Sequence, residues 1–224
     1  MSDLQELFEK HAGSSYTKQL ALGDLLGPHR WNFDMGAGTL DFGEGRVCRA
    51  EIIGSESRAS GTFLWAWANE QSNIPPELTK SVEELRTFGE RRGIEELRTP
   101  MLSVDGKEIT GHKLAMIASG LCNGEAYYAG NYEGGTAYFL LGNTPLANIA
   151  TTGTLRMIRV IEEVILQFPC NHRTMILAYL NSEGFSFTNR DNHYVAIAGN
   201  ERSLHFSFDD HDRMVKIASN LTLE

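Results

Sequence analysis

Four short segments in the first third of the chain have the pattern of strands, and glycine-rich or polar turns separate them. Apolar residues alternate with polar ones in the first three, and large apolar residues alternate with smaller ones in the last. The segments cover residues 31–35, 40–42, 47–53 and 63–68, and residues 55–60 form the last polar connection. Alternation with a period of two is typical of half-buried strands, and short strands at this spacing form hairpins. The pattern therefore predicts an antiparallel meander near the start of the chain.

Helical periodicity surrounds this meander. One or two helices are expected before the Gly27-Pro28 break, and another is expected to start at the N-cap Asn73 and to end at Gly93. A shorter helix ends near Gly120, and later helices cover residues 155–168 and 171–184. Further strands are expected at residues 124–130, 136–141, 185–187, 193–198, 204–208 and 214–218, with turns at 199–200 and 209–212.

Antiparallel strands with segregated helices predict an α+β protein whose sheet meanders carry helices on one face. By analogy, sheet-and-helix shells of the cystatin or nuclear-transport-factor kind are expected. We expect a single domain over residues 1–224, with a subdomain seam at residues 142–153, where Thr, Asn and Gly are enriched.

Composition excludes several classes of function. A net charge of −9 disfavours a nucleic-acid partner, since phosphate binding depends on clustered Lys and Arg. The sequence has no apolar run long enough to cross a bilayer, and its first residues do not look like a signal peptide, so we expect no membrane partner and a cytoplasmic location. Cys48, Cys122 and Cys170 lack metal-ligand spacing, so neither a disulfide framework nor a metal or other cofactor is predicted.

Several segments resemble a bacterial family of unknown function. They are FDMGAGTLDFG at 33–43, GSESRASGTFLWAWANEQSNIP at 54–75, HKLAMIASGLCNGEAYYAGNYEGG at 112–135 and HRTMILAYLNSEGF at 172–185. The motif W-x-W-A-N-x-x-S-N-I-P is part of the second segment, and the resemblance covers nearly the whole chain. It implies a cytoplasmic bacterial α+β protein, and it brings no established activity and no assigned site residues.

The tryptophan segment is the first candidate site. On a regular strand Phe63, Trp65 and Trp67 would share one face and small residues the other. Those aromatic rings would then form core, or they would line a pocket to which Trp31 adds a wall and indole N–H groups offer polar contacts.

Polar residues follow this segment where a helix is expected to begin. Asn73 is explained by helix capping, whereas Asn69 and Glu70 are not, so these two are candidate ligand contacts beside exposed helix-terminal N–H groups. Capping of a solvated helix end is the alternative interpretation.

Titratable side chains elsewhere offer weaker candidates. Asp41, Glu51 and Glu56 lie on or near neighbouring strands and would form an acid–base pair if two of them converged, although solvated strand faces also explain them. His112 opens a helix and is either a base or a polar first-turn residue. The acidic run at residues 209–212 lacks the EF-hand spacing and is interpreted as a turn.

The sequence therefore predicts a ligand-binding or partner-binding protein without catalysis, whose pocket or face lies near Trp65 and Trp67. The occupant is a small molecule or a protein. A hydrolase or isomerase that uses carboxylate and His groups in the same cavity is the alternative, and a structural homo-oligomer is the third.

Overall fold

A computed structural model describes residues 2–104, 106, 108–144, 153–190, 193–198 and 202–219. Over these residues the chain forms six α-helices and eleven strands. The helices are α1 (Asp3–Leu26), α2 (Lys80–Arg92), α3 (Glu95–Arg98), α4 (Gly111–Leu121), α5 (Thr154–Gln167) and α6 (His172–Ser182). The strands are β1 (Asn32–Asp34), β2 (Thr39–Asp41), β3 (Val47–Ser57), β4 (Thr62–Trp65), β5 (Met101–Ser103), β6 (Ala126–Tyr132), β7 (Gly135–Gly142), β8 (Ser186–Arg190), β9 (His193–Ala198), β10 (Arg202–Phe208) and β11 (Met214–Ser219).

The predicted α+β class and the N-terminal meander are confirmed. Strands β1 to β5 pair antiparallel in chain order. Two details differ from the expectation, since β3 continues through Ser57 where a polar connection was predicted, and β5 and the short helix α3 were not predicted. Because β3 is long, its first part pairs with β2 and its second part with β4.

The β6–β7 hairpin completes the first sheet by pairing with the free edge of β3. The register of β3 against β7 shifts between Ile52 and Gly54, which marks a β-bulge. Tyr127 and Tyr138 on this hairpin face the helices α1 and α4, whereas Tyr128 and Phe139 face the opposite side of the sheet. The two faces therefore carry separate sets of aromatic side chains.

The N-terminal segment is one helix, where one or two were expected. Ser2 caps α1, and the helix ends at Gly27, whose φ of 54° suits a residue without a side chain. Helix α1 packs against α4, α5 and α6 as well as β6. Close packing against α6 requires Gly13, because a Cβ atom there would lie 2.4 Å from the Tyr179 side chain.

The C-terminal helices and strands follow the predicted order. Helices α5 and α6 precede a second antiparallel sheet in which the described strands are ordered β11-β10-β9-β8. Asn171 caps α6 through its side chain, as expected, and accepts a hydrogen bond from Thr174 N at 2.9 Å. Apolar residues of both parts, for example Phe63 and Phe206, belong to one cluster of buried side chains.

The tryptophan segment does not continue as a strand. Strand β4 ends at Trp65, and Ala66–Ala68 forms a 3₁₀ turn, so Trp67 does not share the strand face of Phe63 and Trp65. The expectation of a common face for all three rings was wrong, because the strand alternation of side chains stops where the backbone turns.

The predicted helix start at Asn73 was also wrong. Asn73 has a left-handed backbone with φ 45° and ends the 3₁₀ turn Glu70–Ser72, whereas α2 begins at Lys80 after a further turn at Pro76–Leu78. The two consecutive prolines explain the delay, since a proline disfavours helical geometry in the residue before it. The predicted end of this helix at Gly93 is confirmed by its left-handed φ of 71°.

Two predicted connections fall partly or wholly outside the described residues, namely the seam at residues 142–153 and the turn at 199–200. The acidic run is described and does form a turn, in which Asp209 Oδ1 accepts hydrogen bonds from the backbone N–H groups of His211 and Arg213 at 2.9 Å each. Among the described residues no helix is long and apolar enough to cross a membrane.

Candidate functional site

The start of helix α4 is built to hold His112 in a fixed position. The Thr110 hydroxyl oxygen caps the helix by accepting a hydrogen bond from Lys113 N at 3.1 Å. Gly111 N donates to Glu56 Oε2 at 3.1 Å, which ties the first turn to strand β3. Only glycine fits at position 111, because a Cβ atom there would lie 2.4 Å from the Tyr138 ring.

His112 lies between two tyrosines of the β6–β7 hairpin. Its ring centroid is 5.4 Å from that of Tyr138 at an interplanar angle of 89°, and 6.0 Å from that of Tyr127. The Nδ1 atom is 3.1 Å from the Tyr127 hydroxyl. The residue is exposed at the mouth of a cavity, and the two tyrosine rings pack against its imidazole.

The hydrogen-bond network assigns the tautomer of His112. Tyr127 is buried, and within the described residues the hydrogen-bond partner of its hydroxyl is His112 Nδ1. A buried hydroxyl donates its proton where it can, since an unmet donor costs about 1–3 kcal/mol. Nδ1 therefore accepts from Tyr127, and in the neutral ring Nε2 carries the proton and faces outward.

Electrostatics keep this pair neutral. Loss of hydration lowers the pKa of His112, and the Glu56 carboxylate opposes this only in part. The partial positive charge of a helix N-terminus acts in the same direction as the loss of hydration. Burial raises the pKa of Tyr127 above its ordinary value. At neutral pH we therefore expect a neutral imidazole and a protonated phenol.

The cavity beside His112 has a volume of about 530 Å³ and lies between α1, α4, β6 and the end of α5. Its described lining consists of Tyr16, Gln19, Leu20, Gly106, Thr110, His112, Met116, Tyr127, Gln167 and Phe168.

The polar side chains at the rim hold one another in place. The Tyr16 hydroxyl donates to Glu163 Oε2 at 2.6 Å and accepts from Gln167 Nε2 at 2.6 Å. Gln19 Nε2 donates to the backbone oxygen of Tyr127. Burial and the Glu163 carboxylate raise the pKa of Tyr16 to about 12, so its hydroxyl stays protonated.

The three tryptophans lie apart from this cavity. Trp65 is buried beside Phe63, and its indole N–H donates to the backbone oxygen of Glu96 at 3.0 Å, so it offers no polar contact to a ligand. Trp31 is half-buried on the opposite face of the sheet, against Tyr128 and Phe139.

Trp67 packs at the surface of the 3₁₀ turn, with the Arg86 guanidinium 5.0 Å from its ring centroid. Its indole nitrogen is buried and has no hydrogen-bond partner among the described residues. It does not share a cavity with His112. The structure therefore does not bring the predicted tryptophan site and His112 together.

Asn69 performs the capping role that was expected of Asn73. Its Oδ1 accepts from Ser72 N at 3.2 Å at the start of the 3₁₀ turn that contains the exposed Glu70. Asn69 also borders an apolar depression of about 310 Å³ on the outer sheet face, together with Phe33 and Phe139.

The three carboxylates serve different partners. Asp41 accepts from Gly43 N at 2.8 Å in a turn, and Glu51 accepts from Ser81 N at 2.7 Å at the start of α2. Glu56 accepts from Gly111 N and, at 3.3 Å, from the Tyr138 hydroxyl. These contacts position helices and turns, and the three side chains do not line one cavity.

A second cavity, of about 430 Å³, contains buried charges. Glu9 and Lys113 are 1% and 2% exposed, and Gln5 connects them by donating to Glu9 Oε1 at 2.8 Å and accepting from Lys113 Nζ at 3.1 Å. Glu9 Oε1 also accepts from Asn171 N at 2.7 Å. These bonds join α1, α4 and α6, so we interpret the charges as structural.

A third cavity, of about 420 Å³, lies beside Cys122 and Glu125. Burial raises the pKa of the Cys122 thiol to about 12, and Glu125 accepts from Asn143 N and from both the N–H and hydroxyl of Thr144. The thiol is therefore protonated and the carboxylate occupied. In the described part no group of three or more His, Cys, Asp or Glu side chains could hold a metal ion.

Sequence reasoning found His112 but missed its partners. Tyr127 follows it by fifteen positions, and Gln19 and Gln167 come from distant helices. Their convergence depends on how the hairpin and the helices pack, and no local spacing signals it.

The fold and this site define an α+β protein with two antiparallel sheets and a cavity of small-molecule size at a helix N-terminus. The model of a family of unknown function, DUF6882, matches residues 5–144, and the chain belongs to this family. Membership in a family of unknown function confirms the resemblance, although the match is narrower than that resemblance, since residues 172–185 lie outside it. No curated protein and no solved structure matches the chain, so the cystatin and nuclear-transport-factor analogies stay predictions.

Proposed function

We propose that this protein binds a small molecule in the His112 cavity and does not transform it. The observation that carries the proposal is an imidazole, held by Tyr127 through Nδ1, at the mouth of a cavity of about 530 Å³. Cavities of roughly 300–1,000 Å³ with a few fixed polar groups are typical of ligand sites. The proposal moves the expected pocket from the tryptophan segment to the start of α4.

The capacity for hydrogen bonding supports ligand binding. His112 is an exposed residue, and its Nε2 has no hydrogen-bond partner among the described residues. Because Tyr127 and the helix start fix the ring, little side-chain entropy is lost when a ligand accepts from Nε2. A rigid donor next to apolar surface gives both orientation and affinity.

The same geometry argues against the hydrolase or isomerase alternative. A general base needs an unprotonated atom within reach of the substrate, and the outward nitrogen of His112 carries the proton. The described lining contains no Asp, Glu or Lys that could supply the base instead. An isomerase would need such a group as well as a polarising donor.

A fragment screen followed by protein NMR tests the proposal. We expect fragments whose binding shifts the Met116 methyl and the Thr110 and Gln167 amide signals. In His112→Phe their affinity should fall about tenfold, the effect of one lost hydrogen bond.

The matched control is His29→Phe. His29 Nε2 also contacts a tyrosine hydroxyl, that of Tyr128 at 3.0 Å, but it lies outside the cavity. This variant should keep the affinity of the parent protein. Failure of every fragment to shift the cavity signals, or equal loss in both variants, would contradict the proposal.

A reducing compartment fits the proposal. Cys48, Cys122 and Cys170 are all free, as expected for a cytoplasmic protein, where thiols stay reduced. We also propose a bacterial origin, which the sequence resemblance implies.

A further inference from the structure

We infer that the ligand of the His112 cavity is an uncharged ring with a cyclic-amide edge, in which carbonyl acceptors alternate with N–H donors. Uracil, hydantoins and lactams present such an edge. This inference rests on the proposed function and deepens it, since it names the chemical class of the ligand.

Charge is the first constraint on the ligand. No Lys, Arg, Asp or Glu is among the described lining residues. Two carboxylates next to the lining are already engaged: Glu163 by the Tyr16 hydroxyl and by Arg159 at 2.6 Å each, and Glu56 by Gly111 N and the Tyr138 hydroxyl. An ion that loses water without an opposite charge nearby pays a large desolvation penalty. The described part of the lining therefore favours an uncharged ligand.

Two donors of the lining can pair with acceptors on the ligand. His112 presents Nε2–H, as the network with Tyr127 requires. The Thr110 oxygen accepts from Lys113 N, and its hydroxyl proton has no acceptor among the described residues. Carbonyl oxygens or ring nitrogens on the ligand would satisfy both groups.

Two acceptors of the lining can pair with donors on the ligand. The Gln19 amide atom that contacts the backbone oxygen of Tyr127 must be nitrogen, because a carbonyl oxygen only accepts. The Tyr16 hydroxyl donates to Glu163, so the Gln167 atom that contacts it is also nitrogen. Both glutamine carbonyl oxygens are left without a partner among the described residues, and neither is buried.

Ring shape follows from the remaining lining. Leu20, Met116, Phe168 and the Tyr16 ring supply apolar and aromatic surface. Flat rings gain favourable stacking and dispersion contacts on such surface. The two donors and two acceptors of the same lining can pair with the carbonyl and N–H groups of a cyclic amide.

Titration of the full chain with uracil, followed by protein NMR, tests the inference. Uracil should bind with the cavity signals shifting. The 1,3-dimethyl derivative, which keeps the carbonyls and loses both N–H groups, should bind at least about tenfold more weakly. Orotate, the same ring with a carboxylate, should also bind at least about tenfold more weakly.

Gln167→Leu separates ligand recognition from a structural effect. Gln167 is exposed at the end of α5, so the variant is expected to fold. It should weaken the binding of uracil about tenfold and leave the affinity for the dimethyl derivative unchanged. Gln71→Leu, at an exposed glutamine of the 3₁₀ turn outside the cavity, is the matched control and should change neither.

Each remaining outcome has a definite meaning. Equal binding of uracil and its dimethyl derivative, or tighter binding of orotate, would overturn the inference. Fragments that bind the cavity while uracil, hydantoin and pyrrolidinone do not would overturn it and leave the proposed function standing. A cavity that binds no fragment of any kind would overturn both.

Discussion

Replacing Gly135 by alanine should lower the free energy of unfolding by about 3 kcal/mol, the upper end of the range typical when atoms are forced into a packed interior. Gly135 begins β7 opposite Ser57 of β3, and a Cβ atom there would lie 1.8 Å from the backbone oxygen of Glu56. A backbone atom cannot rotate away as a side chain can. The two strands would have to separate at the point where the hairpin joins the meander.

Chemical denaturation of the parent and variant proteins measures this effect. Gly142→Ala is the matched control, because Gly142 lies in the same strand and a Cβ atom there meets nothing within 4 Å. It should change stability by no more than about 0.5 kcal/mol. If Gly135→Ala unfolds at the same denaturant concentration as the parent, the pairing of β7 with β3 is wrong.

Replacing Trp65 by alanine should lower the free energy of unfolding by about 3–5 kcal/mol, as for other large aromatic residues in a core. Trp65 is 0% exposed and contacts Phe63 at a ring-centroid distance of 5.1 Å, and the change also removes its hydrogen bond to Glu96. Trp65→Phe retains part of the ring and should cost less. Neither change should alter ligand affinity, since Trp65 does not line the His112 cavity.

Trp67→Ala is the comparison for this effect. Trp67 is half-buried and packs against Arg86, so its loss should cost clearly less than that of Trp65. Denaturation measures both variants, and ligand titration checks the cavity. If Trp65→Ala were as stable as the parent protein, the Trp65 ring would not be part of the core. If a folded tryptophan variant lost ligand binding, the ligand site would lie at the tryptophans and not at His112.

Much of the fold was predictable because its elements carry strong local patterns. The apolar stripe of α5, the Asn171 cap of α6 and the alternation in β10 all lie where periodicity indicated. The meander was predictable for the same reason, since its strands pair with their chain neighbours. The pairing of β7 with β3 joins distant segments, and no local pattern encodes it.

The errors near the tryptophans have a local physical cause. The residues after Trp65 satisfy their backbone groups within 3₁₀ turns, and Asn69 caps one of them. Large and small apolar side chains continue to alternate through Trp67 although the strand has ended, so periodicity alone could not locate the end of the strand. Asn69 and Asn73 are both good caps, and only the backbone shows which one acts.

The candidate site was predictable only in part. His112 stood out as a histidine in the first turn of a helix. Its role depends on Tyr127, which fixes the proton on Nε2, and on the absence of charge from the described lining. Both properties arise from tertiary packing. The helix pattern in the sequence could not show whether His112 is a base or a polar first-turn residue.

Nitrogen-15 NMR of the His112 imidazole tests the central claim most directly, because it reports which ring nitrogen carries the proton. At pH 7 we predict a neutral ring with the proton on Nε2. Since burial lowers the pKa of His112, the midpoint of its titration should lie below the ordinary value of about 6.5. A proton on Nδ1, or an imidazolium at pH 7, would contradict a site that presents a neutral donor to its ligand.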